Sequence, residues 1–259
     1  MQNEPHLELR ERIAQLDRLE EELLDRPADS AVRQAIADIE TLNQALYQSI
    51  RESIVRGEGR DAMRPWLEPS DDASPAYDYR DALISGVLPL PEPQGEIAVL
   101  EQGMVFYQPT PARRIFDLFE LCELQKDDLL IDLGAGLGHV SLLTAICTPA
   151  RSVGIERELA YVQSATEAAT ALGLERAGFA CQDLRETDFG KGTVFYLYTP
   201  VTGALLEQVM AKLEYEASQR PIKVVSLGPC TAMLAQAKWL RAMNRPEEHR
   251  IALFHSVFR

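Results

Sequence analysis

Three glycines at alternate positions, Gly134, Gly136 and Gly138, stand between Leu129-Leu130-Ile131-Asp132-Leu133 and the run from Val140 to Cys147. An apolar run holding one acid, then a glycine loop, then a helical pattern reads as a buried parallel strand, a tight turn and a helix. Glycine lets the backbone approach a ligand closely and take positive φ. The helix that follows aims free N–H groups into the same space, which favours an anionic or nucleotide-type ligand. Glu156 ends the next apolar run, within the usual offset of roughly 20 residues from the glycines. In open parallel sheets ligands lie across the carboxyl ends of the strands, so an acid there can accept both hydroxyls of a ribose. Glu156 alone serves any adenosine-type ligand.

The spacing narrows the choice. A dinucleotide fingerprint G-x-G-x-x-G would need its third glycine at residue 139, which is histidine. The third glycine is Gly138, giving G-x-G-x-G with Asp132 before it. This pattern resembles motif I of the class I, Rossmann-like, S-adenosylmethionine (SAM) methyltransferases, over roughly residues 106–227. Within that span, Asp127 to Gly138 and Val153-Gly154-Ile155-Glu156 look most like the non-SET histone-lysine methyltransferases. The resemblance implies SAM as cofactor, bound by Asp132, Gly134, Ala135, Gly136, Gly138 and Glu156. It further implies that Asp183 meets the adenine amino group and that the backbone of Leu184 meets the ring. By the same analogy Tyr107 and Thr110, in Tyr107-Gln108-Pro109-Thr110, close over the methionine end. The fourth strand, ending in Tyr198-Thr199-Pro200, would lie beside the methyl group, making Tyr198 and Thr199 the substrate-side candidates. His139 reads either as a base or carboxylate contact or, with more weight, as packing against the sheet or a neighbouring loop. The departures concern the substrate: the fourth-strand loop is Tyr-Thr-Pro rather than asparagine-rich, and no basic tail is present. The acceptor, a small molecule or a protein side chain, is therefore open.

The elements that position these residues follow from periodicity. Leu7 to Arg26 is a helix by its apolar spacing, stopped by Pro27. A second helix starts at Ser30 as N-cap and carries Val32, Ile36, Ile39, Leu42, Leu46, Ile50 and Ile54, with Gly57 closing it. The hairpin stripes must be buried, either on the main domain or on a partner or second copy of the chain. Residues 58–102 read as a proline-rich connector with one short helix in Tyr77 to Leu90 and the makings of a lid. Thr110 is expected to N-cap a helix through Leu124. Strands are expected at Leu129–Leu133, Ser152–Glu156, Ala177–Cys181, Thr193–Tyr198, Ile222–Leu227 and Ile251–Phe258, the last antiparallel-capable with a partner near Trp239-Leu240. Helices at Leu159–Leu172 and Leu205–Leu213 alternate with them. The predicted fold is α/β: a Rossmann-like, mostly parallel sheet with helices on both faces after an N-terminal helical hairpin. The expected division is 1–57, 58–102 and 103–259.

A net charge of −14 argues against nonspecific nucleic-acid binding and against anionic membranes. No apolar run reaches the roughly 20 residues needed to span a bilayer, and the polar, acidic start is unlike a signal peptide. A cytoplasmic protein is expected. Cys122, Cys147, Cys181 and Cys230 sit in apolar company and read as buried thiols, and the four histidines show no metal spacing. Two alternatives to a methyltransferase stay open: a scaffold acting through the hairpin, and an NAD-dependent oxidoreductase.

Overall fold

The computed structural model describes residues 5–27, 29–67, 77–95 and 101–257. Two helices, α1 (Pro5–Asp25) and α2 (Ser30–Val55), form the expected hairpin. The N-cap of α2 is Asp29 rather than Ser30: its carboxylate accepts from the N–H groups of Ala31 and Val32. Short helices α3 (Gly59–Met63) and α4 (Tyr79–Val87) follow, α3 unanticipated because its single turn carries no periodic signal. Residues 68–76 and 96–100, with the lid expectation for that stretch, lie outside the described residues.

The remainder alternates strand and helix: α5 (Ala112–Cys122), β1 (Leu129–Leu133), α6 (His139–Cys147), β2 (Arg151–Glu156), α7 (Leu159–Ala171), β3 (Ala177–Cys181), β4 (Val194–Tyr198), α8 (Gly203–Gln219), β5 (Lys223–Leu227), α9 (Cys230–Gln236), β6 (Leu240–Ala242) and β7 (Ala252–Ser256). They build a seven-stranded sheet in the order β3-β2-β1-β4-β5-β7-β6. β1 through β5 pair in parallel, and β7 runs antiparallel between β5 and β6. The order reverses between β1 and β4, which opens a crevice at the carboxyl ends of the strands.

Alternate residues of each strand face opposite layers, so both faces must be covered. Leu130, Val194, Tyr196 and Val225 join one cluster with Leu142 and Ile146 of α6. Ile131, Phe195, Leu197 and Val224 join the other with Leu206, Val209 and Leu213 of α8. Helix α6 is buried from Val140 to Cys147, because the sheet covers one side and α3 and α5 cover the other. One end of the hairpin stripe is buried on the main domain: Leu9, Tyr47, Ile50 and Ile54 lie in the same cluster as Ile115 and Leu142. Leu42, expected in that stripe, faces outward, and Asn43 and Tyr47 take the inward positions. Cys122, Cys147 and Cys230 are buried, but Cys181 is exposed because the last residue of β3, an edge strand, has no covering layer. Among the described residues no helix is long and apolar enough to cross a membrane, and no His, Cys, Asp or Glu cluster could hold a metal ion.

Candidate functional site

The crevice at the strand ends is a cavity of about 580 Å³. Of the residues picked out above, Tyr107, Thr110, Asp132, Gly134, Ala135, Glu156, Asp183, Leu184, Tyr198 and Thr199 all line it, and His139 does too. Gly136 and Gly138 are not among its lining residues. All three loop glycines have positive φ. A side chain at Gly134, Gly136 or Gly138 would run into Pro200, the Tyr107 ring or Phe179 respectively, so the loop needs glycine for space as well as for backbone conformation.

Glu156 is fixed by the loop it serves. Its Oε2 accepts from the Gly136 N–H at 2.8 Å, and its Oε1 accepts from the Arg157 and Glu158 N–H groups at 2.7 and 2.9 Å. A carboxylate has about four acceptor positions, so one remains, on Oε2. That position can accept a ribose hydroxyl as the site stands, and a second hydroxyl would share Oε2 with the Gly136 N–H.

Asp132 pairs in register with Tyr196 and shares its face of the sheet. Its side chain is buried, and Oδ2 finds no hydrogen-bond partner among the described residues. Burial first, and the nearby Glu156 charge second, push its pKa up to about 8. A buried, partnerless carboxyl is costly unless something cationic or hydrogen-bonding comes to it. The ammonium or sulfonium of SAM fits that requirement.

Asp183 is clamped by Arg185, whose Nε and Nη2 reach Oδ1 and Oδ2 at 2.9 and 2.5 Å; the Arg185 backbone N–H also donates to Oδ1 at 2.8 Å. The fork holds its carboxyl below the ordinary range. One acceptor position stays open on Oδ2.

A strap formed by residues 101–111 crosses the cavity mouth. Glu101 pairs with Arg157 at 2.8 Å and with Arg185 at 3.5 Å, and Met104 bridges to Val201 beyond β4. Tyr107 lies over Gly136, with Tyr161 5.2 Å away between ring centroids and the hydroxyl 3.3 Å from His139 Nδ1. Burial lowers the His139 pKa to about 4, so the imidazole is neutral at pH 7 and packs against the strap. Thr110 does not cap α5; Pro111 takes the N-cap position. The Thr110 hydroxyl instead pairs with the Tyr196 hydroxyl at 2.9 Å.

Thr199 and Tyr198 differ. Thr199 has φ of 40°, rare for a β-branched residue, and its Oγ1 donates to Leu227 O and accepts from Cys230 N, both at 3.1 Å. Its hydroxyl is thus spent on tying β4 to the start of α9. Tyr198 keeps a half-buried ring at the cavity wall. Both residues, with Val105, Phe106 and Gln108, also line an adjoining cavity of about 440 Å³, with Glu248 and His249 at its edge. The sequence reading missed Glu101, Arg157, Tyr161 and Tyr196. Arg157 adjoins the acid that was recognised, but the other three have no signal short of the fold.

A sequence model of the family described as histone methylation protein DOT1 matches residues 105–192. No curated protein matches the chain. Among solved structures it is similar to an RNA methyltransferase from Salinibacter ruber in complex with S-adenosyl-L-homocysteine, at 27% identity over 57% of this chain and 92% of that one, TM-score 0.46. A SAM-dependent methyltransferase from Geobacter sulfurreducens in complex with S-adenosyl-L-homocysteine is 22% identical over 44% and 46%, TM-score 0.37. TrmN from Thermus thermophilus is 17% identical over 57% and 49%, TM-score 0.46. The chain spans about half the length of these last two. Sheet order, glycine loop and family match agree on a class I (Rossmann-like) SAM-dependent methyltransferase.

Proposed function

We propose that this methyltransferase takes SAM in the larger cavity and an amine-bearing acceptor in the adjoining one, with transfer where they meet. The observation that carries the reading is that Tyr198 and Thr199 line both cavities. Asp132 would meet the cationic methionine end, with Tyr107 laid across the loop at Gly136. Thr110 would act at one remove, by holding Tyr196. Glu156 would accept a ribose hydroxyl, and Asp183 would accept from the adenine edge with Leu184 beside the ring.

SAM, when bound, supplies a methyl group already attached to a good leaving group, so the chain's work is placement, which can contribute roughly 7 to 11 kcal/mol. Tyr198 and the strap would hold the acceptor in line. The amine reading rests on the acceptor side's charges. Arg114 there is committed to Asp117 at 2.8 Å, whereas the Glu248 carboxylate has no bond or ion pair among the described residues. With the rings of Phe106 and Tyr198 beside it, an uncommitted carboxylate favours a cationic head on an apolar stem, which must give up one proton to solvent before its nitrogen lone pair can take the methyl group. The net charge of −14 draws such a group in. A family described by histone methylation supports a protein acceptor.

Isothermal calorimetry with SAM and S-adenosylhomocysteine tests the cofactor half: both should bind at micromolar concentrations, and binding of neither at millimolar ligand would overturn it. Methyl transfer to basic lysine-containing peptides, small amines and structured RNA, followed by mass spectrometry, tests the acceptor half. Transfer to RNA alone would overturn the amine while leaving the methyltransferase intact.

A further inference from the structure

Behind the turn that carries Asp183 and Leu184 lies a lysine from the opposite helical layer. Lys212, in α8, extends Nζ to three backbone oxygens, Leu184 O at 3.0 Å, Arg185 O at 3.0 Å and Thr187 O at 2.5 Å. The Phe189 ring lies 4.7 Å from the same ammonium. An ammonium has three N–H donors, and here all three are used on one turn.

The turn is wound tightly around that cation. Asp183 O accepts from Glu186 N, Thr187 N and Thr187 Oγ1 at 3.0, 3.1 and 2.8 Å, closing the loop on its own first residue. The peptide between Leu184 and Arg185 is held at both ends: its carbonyl accepts from Lys212, and its N–H donates to Asp183 Oδ1. A planar peptide fixed at both its oxygen and its hydrogen cannot rotate, so the Asp183 carboxylate and the Leu184 backbone are set together. Without the ammonium, three clustered carbonyls would turn towards water, and the peptide plane would turn with them.

We infer that Lys212 is a positioning residue for base recognition: it presets the turn bearing Asp183 and Leu184, so that the site distinguishes a 6-amino from a 6-oxo purine. This rests on the reading that Asp183 faces the adenine edge. Lys212 itself does not line the cavity, and its effect passes through the peptide it holds.

The experiment compares S-adenosylhomocysteine with S-inosylhomocysteine, which lacks the amino group, on the full chain. Wild type should prefer the adenosyl ligand by about 10-fold or more, the worth of one hydrogen bond to a charged group. Lys212→Met should bring the preference within about 3-fold, while Glu156→Gln should weaken both ligands alike and leave the ratio unchanged. Loss of folded protein lowers the apparent affinity for both ligands together, so the ratio reports positioning rather than general damage. Should Lys212→Met fail to fold, Lys212→Gln decides, since a carboxamide can serve only two of the three carbonyls. An unchanged preference in the folded variant would overturn the inference. Failure of wild type to bind either ligand would instead overturn the cofactor assignment.

Discussion

The carboxyl ends of β1 to β3 and those of β4 and β5 belong to one sheet edge, yet they are built differently. On the first side, Glu156 is held by three backbone N–H groups, Asp183 by a guanidinium fork and the turn that begins at Asp183 by Lys212. On the second, the Thr199 hydroxyl is turned away into a structural tie, Phe106 is 80% exposed and Glu248 is uncommitted among the described residues. A preset wall suits a ligand that is the same at every turnover, because groups already oriented lose little freedom on binding. A loose wall leaves the acceptor to complete its own site. The contrast predicts that substitutions on the first side move cofactor affinity steeply and those on the second move acceptor parameters gently.

The largest effect should come from Glu156→Ala, which takes the acceptor from three backbone N–H groups and loosens the loop. Binding of S-adenosylhomocysteine should weaken by about 100-fold or more, measured by calorimetry. Undiminished binding would show that the first side is not preset as described.

Asp132 gives a pH signature of intermediate size. Its carboxyl is raised from 3.8 to about 8 in the fold, so the native state holds a proton that the unfolded chain loses above pH 4, and stability falls as pH rises from 4 to 8. His139 acts oppositely: lowered from 6.5 to about 4, it contributes stability above pH 6.5 that is lost as pH falls to 4. The two slopes offset each other below 6.5, and Asp132 alone remains above it. Without ligand, the melting temperature should drop by on the order of 5 °C between pH 6.5 and 8. Asp132→Asn should remove that drop, whereas a drop persisting in this variant would assign it to another group.

The smallest effect is expected on the loose side. Phe106→Ala should raise the KM for the acceptor by about 5-fold, a partial loss of aromatic contact, with the Kd for SAM unchanged. An equal change in SAM affinity would assign Phe106, which borders both cavities, to the cofactor rather than the acceptor.

Much of this molecule was legible in the chain because local chemistry forced it. A buried parallel strand reads as a continuous apolar run, so β1 and β3 coincide with their expected limits and β2 and β4 begin within one residue of theirs. The three glycines announced a loop that tolerates no side chain, and Glu156 and Asp183 were placed at the strand ends that line the cavity. Caps and single-turn elements were less legible: Asp29 rather than Ser30 caps α2, and α3 was not foreseen, since neighbouring polar residues offer near-equal alternatives that differ by a fraction of a hydrogen bond.

Tertiary structure alone decided which groups are already spent. Composition could not show that Thr110 pairs with Tyr196, 86 residues away, that the Thr199 hydroxyl belongs to α9, or that Lys212 threads its ammonium into the Asp183 turn. The residue types at a strand end are written locally, one after another along the chain. Whether a lone pair there is free for a ligand depends on donors brought from distant segments, and those meet only when the sheet assembles.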